Sequence, residues 1–299
     1  MNKSFIIISM IVALAGCADI SISEGEKPVD MSFRVGTEHT DGTKSFLATG
    51  NAVLFAPGDS IAVFPEGSTS AACFRVGNHW DAQSVANDVI YGRISQADRY
   101  YAFYPWTNSV AINTGAREIY ASLPAEQYKP SMSKTFDPKA ALSVGVSDAN
   151  NYFYMMNVGS LVKVSFTDRI FVDKIVLTSL PGLSPVGNPL AGDIAVSIPE
   201  GETAPYWRST GSTSPSVTLY VGEDGITVGD KCCFVVLPGI YGGLKLEVFV
   251  NGEPKYTLIH NKLISLERSR SYSFPPIDPN YSVIDFVELE ELKDEYYEW

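Results

Sequence analysis

Leu244-Lys245-Leu246-Glu247-Val248-Phe249-Val250-Asn251-Gly252-Glu253-Pro254-Lys255-Tyr256-Thr257-Leu258-Ile259-His260 is the stretch that decides the fold class. Leu244, Leu246, Val248 and Val250 alternate with Lys245 and Glu247. A period of two gives a strand one apolar and one polar face. Asn251-Gly252 follows at once, and both residues tolerate the positive φ of a tight turn. The chain therefore reverses there, and Lys255–His260 returns as the second strand of a hairpin.

The same period recurs on both sides. Val162, Val164 and Phe166 alternate with Lys163 and Ser165. Ile194, Val196 and Ile198 alternate with Ala195 and Ser197, and Val217, Leu219 and Val221 with Thr218 and Tyr220. Further strands are expected over Ala52–Phe55, Ser60–Phe64, Arg99–Tyr104, Glu118–Leu123, Leu142–Val146 and Tyr152–Met156. Pro57-Gly58-Asp59, Pro181-Gly182 and Gly242-Gly243 supply turn chemistry between them. Before the tail, no long helical pattern interrupts these strands. Many short strands joined by Gly/Pro turns predict an all-β protein made of β-sandwiches. A chain of 299 residues suggests two domains. Asn157-Val158-Gly159-Ser160 precedes a fresh strand-rich block, so the boundary is set there, giving one sandwich over 31–157 and a second over 158–277.

Hydrophobic residues are 45% and charged residues 19% of the chain, enough apolar mass for real cores. Lys and Arg number 22 against 34 Asp and Glu, a net charge of −12. That argues against nucleic acid as a partner, which needs a cationic surface to displace counterions. It also argues against a polybasic grip on anionic lipid.

The chain opens with Lys3 and the short apolar run Phe5–Ala13, the pattern of a secretory signal. The run is shorter than the ~20 residues that span a bilayer. Leu14-Ala15-Gly16-Cys17 then forms a lipobox, small side chains before a cysteine whose thiol accepts a diacylglyceryl group. Residues 1–16 are expected to leave as a lipoprotein signal peptide, with Cys17 the acylated first residue of the mature chain. Several acyl chains together anchor a protein firmly, at ~0.8 kcal/mol per buried CH₂. Residues 17–30 are polar and read either as a tether lifting the folded part off the membrane or as a strand released later. Of the other cysteines, Cys232 and Cys233 are neighbours in a strand, and at most one of them faces the core beside Cys73. Two readings stand: buried thiols, or a disulfide to Cys73.

The tail, 278–299, is acidic and aromatic. Phe286, Leu289, Leu292, Tyr296 and Trp299 are spaced for one helical face, yet Val283–Val287 reads equally well as extended. Seven acids from Asp285 to Glu298 face one base, Lys293. The tail is either a solvated acidic segment or one that docks on another subunit.

Motifs for catalysis are missing from the sequence: there is no GxSxG, HExxH, phosphate loop or dinucleotide fingerprint. His39, His79 and His260 stand far apart, and a hydrolase would need one of them as its base. No metal or cofactor is expected; Gly222–Gly225 and Asp148–Asn151 lack the full spacing of a calcium loop. The aromatic run Arg99-Tyr100-Tyr101-Ala102-Phe103-Tyr104-Pro105-Trp106 has two readings. It is a central strand with aromatics on both faces, or Tyr101 and Trp106 stack on sugar rings and the protein is a glycan-binding surface lipoprotein.

In order along the chain come the lipobox, Pro57-Gly58-Asp59 before Ala62-Val63-Phe64, Tyr101-Ala102-Phe103-Tyr104-Pro105 and Leu123-Pro124-Ala125-Glu126-Gln127. Phe153-Tyr154-Met155-Met156-Asn157-Val158, Leu161-Val162-Lys163-Val164 and Leu190-Ala191-Gly192 follow. This succession resembles the fimbrillin-like proteins of Bacteroidales, the Mfa/FimA-type pilins and their relatives, over nearly the whole mature chain. The resemblance implies two tandem transthyretin-like Greek-key β-sandwiches in a lipoprotein of the outer membrane, exposed at the cell surface or in a fimbrium. It implies adhesion as a shaft, tip, anchor or accessory subunit, with other fimbrial subunits as partners, a surface receptor or glycan as a further one, and no catalysis. In polymerising members an arginine-specific protease removes the first strand, and a strand of the next subunit fills the groove. On this sequence the clip site is Arg34, and the donor strand is Tyr281, Val283, Asp285, Val287 and Leu289. The O-glycosylation pattern of the family's bacteria fits Ser60, in Asp59-Ser60-Ile61.

Overall fold

The computed structural model describes residues 27–37, 46–47, 53–55, 58–77, 89–130, 136–147, 150–182, 187–198, 204–228 and 230–280. Cys17 and the tail from 281, with all five donor-strand positions, lie outside the described residues. So do His39 and His79.

The described residues form strands, with one 3₁₀ turn at Pro138–Ala140 and no α-helix. In chain order the strands are β1 (Val29–Thr37), β2 (Phe46–Leu47), β3 (Val53–Leu54), β4 (Ser60–Pro65), β5 (Ala72–Val76), β6 (Val89–Ile94), β7 (Tyr100–Tyr104) and β8 (Ala111–Asn113). Next come β9 (Glu118–Leu123), β10 (Glu126–Tyr128), β11 (Ser143–Val146), β12 (Tyr152–Asn157), β13 (Ser160–Ser165), β14 (Lys174–Ser179), β15 (Ala191–Ser197) and β16 (Tyr206–Ser214). The last are β17 (Ser216–Tyr220), β18 (Lys231–Val236), β19 (Gly239–Tyr241), β20 (Leu244–Val250), β21 (Glu253–His260), β22 (Ile264–Leu266) and β23 (Ser271–Ser273).

The hairpin read from sequence is β20–β21, paired from Leu244↔His260 to Val250↔Glu253 with a one-residue register shift between Val248 and Phe249. Asn251 and Gly252 have φ of 53° and 81°, the positive values that a two-residue turn requires. Leu244, Leu246, Val248, Tyr256 and Leu258 point inward and are buried. Each contributes about 1.5–3 kcal/mol relative to staying exposed. Lys245, Glu247 and Lys255 lie on the outward face, as the alternation predicts.

Seven strands close into a ring in the order β1-β12-β11-β7-β4-β5-β6. A five-stranded sheet runs β10-β17-β14-β20-β21, a four-stranded one β16-β15-β9-β8, and a three-stranded one β18-β13-β23. Residue 157, the expected boundary, ends β12, and Val158-Gly159 connects it to β13. Backbone pairing nonetheless crosses this point. β9 pairs with β15, and β10 pairs in parallel with β17. One apolar cluster runs through the chain from Phe33 to Ile277.

All three described thiols are free. Cys232 and Cys233 point to opposite faces of β18, and both are buried because that sheet is covered on both sides. Cys73 is exposed on β5. Burial, and then the neighbouring Cys233, push the Cys232 thiol from its ordinary 9.0 up to about 12. An alkylating reagent at neutral pH is therefore expected to modify Cys73 in the folded protein and to reach Cys232 and Cys233 after denaturation, as mass spectrometry will read. Because the folded value is the higher one, burial of the neutral Cys232 thiol stabilises the fold fully below pH 9. That stabilisation is lost as pH rises from 9 toward 12. Burial raises the Tyr241 hydroxyl in the same direction.

Candidate functional site

β1 pairs with its two neighbours in the ring along successive stretches and in opposite senses. Along Val29–Arg34 it runs antiparallel to β6, from Val29↔Ile94 to Arg34↔Val89. Along Arg34–Thr37 it runs parallel to β12, from Arg34↔Tyr152 to Thr37↔Met155. It is a staggered splint that passes from one neighbour to the other at Arg34. The Arg34 amide donates to the Asn151 carbonyl at 2.9 Å, the bond at which the change of partner occurs. Its side chain lies on the exposed side of the strand.

Period-two burial fixes which side of β1 faces in. Phe33 and Val35 are buried, while Asp30, Ser32 and Arg34 are exposed. The Phe33 ring meets Phe74 edge-on at 5.4 Å, Tyr100 edge-on at 5.0 Å and Phe153 tilted at 4.8 Å between centroids. Those partners come from β5, β7 and β12, so a single side chain plugs an aromatic slot built by three strands. Tyr100 is held in turn. Its hydroxyl donates to Met31 Sδ at 3.3 Å and accepts from the Ala97 amide at 2.8 Å. Outside the ring, Arg93 ties down the start of β1 with an exposed ion pair to Asp30 at 3.2 Å. It also donates to the Pro28 carbonyl at 3.2 Å.

The tether expected over 17–30 and this strand overlap, since β1 begins at Val29. Without β1, the edge of β6 loses a six-residue ladder and the edge of β12 a four-residue one. β1 is the first strand of the ring in chain order, and among the described residues only Lys27 and Pro28 precede it.

The other positions singled out in the sequence lie elsewhere. Tyr101 is in the middle of β7, where all five residues are buried between β4 and β11. Its ring is 0% exposed and its hydroxyl donates to Glu66 at 3.3 Å, so it presents no face to a glycan. Desolvation first, and Glu66 second, raise that hydroxyl above its usual range. Of the two aromatic-run readings, the central strand describes Tyr101. Trp106 is half-buried against the core, its amide donating to the Ser60 carbonyl at 2.7 Å. A stacking platform made of Tyr101 and Trp106 therefore does not form. Ser60 is half-buried at the start of β4, and Ile61 beside it is in the core. Asp59 accepts from the Tyr104 hydroxyl at 3.3 Å. His260 is buried at the end of β21. Among the described residues, no three His, Cys, Asp or Glu side chains gather as metal ligands.

A scan against models of known families finds no match, and a search of curated proteins finds none. Among solved structures, the chain is similar to a candidate cell adhesion protein of Bacteroides uniformis, at 13% identity and a TM-score of 0.48, over 86% of this chain and 93% of that one. A candidate cell adhesion protein of Bacteroides thetaiotaomicron matches at 12% identity and a TM-score of 0.39, over 83% of this chain and 91% of that one. The tip fimbrial protein Mfa3 of Porphyromonas gingivalis, truncated at its C-terminus, matches at 10% and 0.33, over 83% and 93%. By their names, these neighbours are cell adhesion and fimbrial proteins of Bacteroidales, the group that the sequence resembles.

Proposed function

We propose that this chain is a fimbrial adhesion subunit that assembles by exchanging its first strand. One observation supports the reading above others: β1 splints two neighbours of the ring and changes partner at Arg34, the residue at which an arginine-specific protease would cut. A cut after Arg34 separates Val29–Arg34, with its six-residue β6 ladder, from Val35–Thr37, which carry three of the four register pairs with β12. Release of that piece uncovers a row of unpaired backbone groups beside an apolar slot. A strand with alternating apolar residues fills both needs, since backbone bonds supply affinity and side chains supply register. Tyr281–Leu289 of the next subunit is the proposed donor. Lipidation at Cys17 tethers the subunit to the outer membrane, and the two halves of the chain are transthyretin-like Greek-key sandwiches. No catalytic chemistry enters this function.

The test treats the mature chain with an arginine-specific protease and compares unheated with boiled samples on a denaturing gel. Strand-exchanged polymers hold until they unfold, so a ladder is expected in the unheated lane and a single band after boiling. Arg34→Ala, or removal of 281–299, is expected to abolish the ladder. A single band in both lanes after complete cleavage at Arg34 would overturn the assembly role. A ladder that persists in Arg34→Ala would overturn the clip site.

A further inference from the structure

The outward face of the five-stranded sheet carries a second feature. Register places Tyr128 of β10 beside Tyr220 of β17, Tyr220 beside Lys174 of β14, and Lys174 beside Phe249 of β20. These four side chains form one row across four strands. The Tyr128 and Tyr220 rings are stacked, 5.2 Å apart and 21° from parallel. The Lys174 ammonium lies 4.8 Å from the Phe249 ring centroid. Strand spacing makes the row roughly 14 Å long, the reach of a short oligosaccharide. Tyr128 is 54% exposed.

We infer that this row is a binding platform for a neutral polysaccharide. Its rings are ordered before any ligand arrives, Tyr128 by Tyr220 and Phe249 by Lys174, which lowers the entropy lost on binding. Among the described residues neither tyrosine hydroxyl has a hydrogen-bond partner, so both are available to a ligand. The adjacent row on the same face reads Glu126, Thr218, Val176, Glu247. Acceptors and a hydroxyl thus flank the aromatics. A sugar offers what this surface takes: an apolar C–H face for the rings and a rim of hydroxyls for carboxylates and Lys174.

Other occupants fit less well. A dry protein interface has few charges at its centre, whereas Lys174, Glu126, Glu247 and Lys245 are interspersed here, with Lys245 and Glu247 paired at 2.9 Å. Nucleic acid is opposed by the net charge of −12. The net charge of −12 and the carboxylate of Glu126 beside the row, unpaired among the described residues, oppose an acidic glycan, so the ligand proposed is neutral. The platform does not depend on strand exchange.

Affinity gel electrophoresis of the mature chain, in gels containing soluble β-glucan, xylan, mannan or galactan, tests the inference. At least one of the four is expected to retard the protein. Tyr128→Ala and Phe249→Ala are expected to weaken that retardation at least about tenfold, the loss of an anchor residue. Tyr128→Phe and Phe249→Tyr, which keep the rings, retain it. Tyr206→Ala, a tyrosine 54% exposed on β16, leaves it unchanged. Retardation by none of the four polysaccharides overturns the inference, as does equal retardation of the alanine variants. Self-association that is lost in Tyr128→Ala, without polysaccharide binding, assigns the row to contact between copies and also overturns it.

Discussion

Replacing Phe33 with alanine is expected to cost about 3–5 kcal/mol, the usual range for removing a buried phenylalanine. Three aromatic contacts disappear together, to Phe74, Tyr100 and Phe153, and the slot they line cannot collapse because each sits on a different strand. For a chain of this size the melting midpoint should fall by on the order of 10 °C. The effect should also be local. Phe33 is the largest buried side chain of β1, so loss of its ring weakens the strand before it weakens the barrel. Arginine-specific cleavage at Arg34 should accelerate in Phe33→Ala well beyond what the melting shift alone predicts. Amide hydrogens of β6 should lose protection before those of β7. Ser32→Ala, one residue away on the exposed side, is the control and should leave both measurements unchanged. Equal midpoints and equal cleavage rates for Phe33→Ala and the parent would show that β1 is not held by its aromatic plug, and strand exchange would lose its physical basis.

How much of this was legible beforehand depends on which residues face water. The β20–β21 hairpin was readable because one face is buried, one is wet, and Asn251-Gly252 meets the φ requirement of the turn. Even there the returning strand starts at Glu253, before the expected Lys255. Pro254 donates no backbone bond, which disfavours it inside a sheet. It is tolerated because β21 is the edge of its sheet. β9 was read with its observed ends, Glu118 and Leu123. β16 was not read at all. Tyr206-Trp207-Arg208-Ser209-Thr210-Gly211-Ser212-Thr213-Ser214 is exposed almost throughout and therefore has no hydrophobic period, although it forms nine residues of strand against β15. β7 erred the other way. Burial on both faces gives an unbroken apolar run, and such a run does not reveal which aromatics reach solvent.

The candidate sites were less legible still, because they depend on long-range register. Nothing local to Arg34 shows that pairing passes from β6 to β12 at that residue. Nothing local to Tyr128 brings Tyr220, Lys174 and Phe249 alongside it. The parallel pairing of β10 with β17 joins residues about ninety apart, and no sequence period reports a contact of that kind.

The same short strand carries the other prediction of large effect, at Gln127. Its side chain is 0% exposed. Gln127 Nε2 donates to the Val235 carbonyl at 2.7 Å, and Gln127 Oε1 accepts from the Val235 amide at 3.0 Å. Nε2 also donates to the Pro124 carbonyl at 3.1 Å. β18 is an edge of its three-stranded sheet, and both backbone groups of Val235 bond to Gln127, on a side where no described strand pairs with β18. The glutamine amide supplies there what a neighbouring strand would have supplied, one acceptor and one donor. It thereby fastens β10 to β18, across the point where the two expected sandwiches divide. Gln127→Ala strands a buried amide hydrogen and a buried carbonyl, each costing about 1–3 kcal/mol. The combined loss of roughly 2–6 kcal/mol is a large part of the 5–15 kcal/mol by which a domain is stable. Urea unfolding is expected to show that loss as a lower midpoint. Gln127→Glu separates the hydrogen bonds from simple packing, because its size is unchanged. A carboxylate still accepts from the Val235 amide, but it opposes two carbonyl oxygens and can donate to one only when protonated. Its folded pKa is thus raised above the unfolded value, and the variant gains stability as pH falls and loses it as pH rises. If Gln127→Glu unfolds at the same urea concentration at pH 5 and pH 7, the amide is not acting as a surrogate strand and the link between β10 and β18 rests on packing alone.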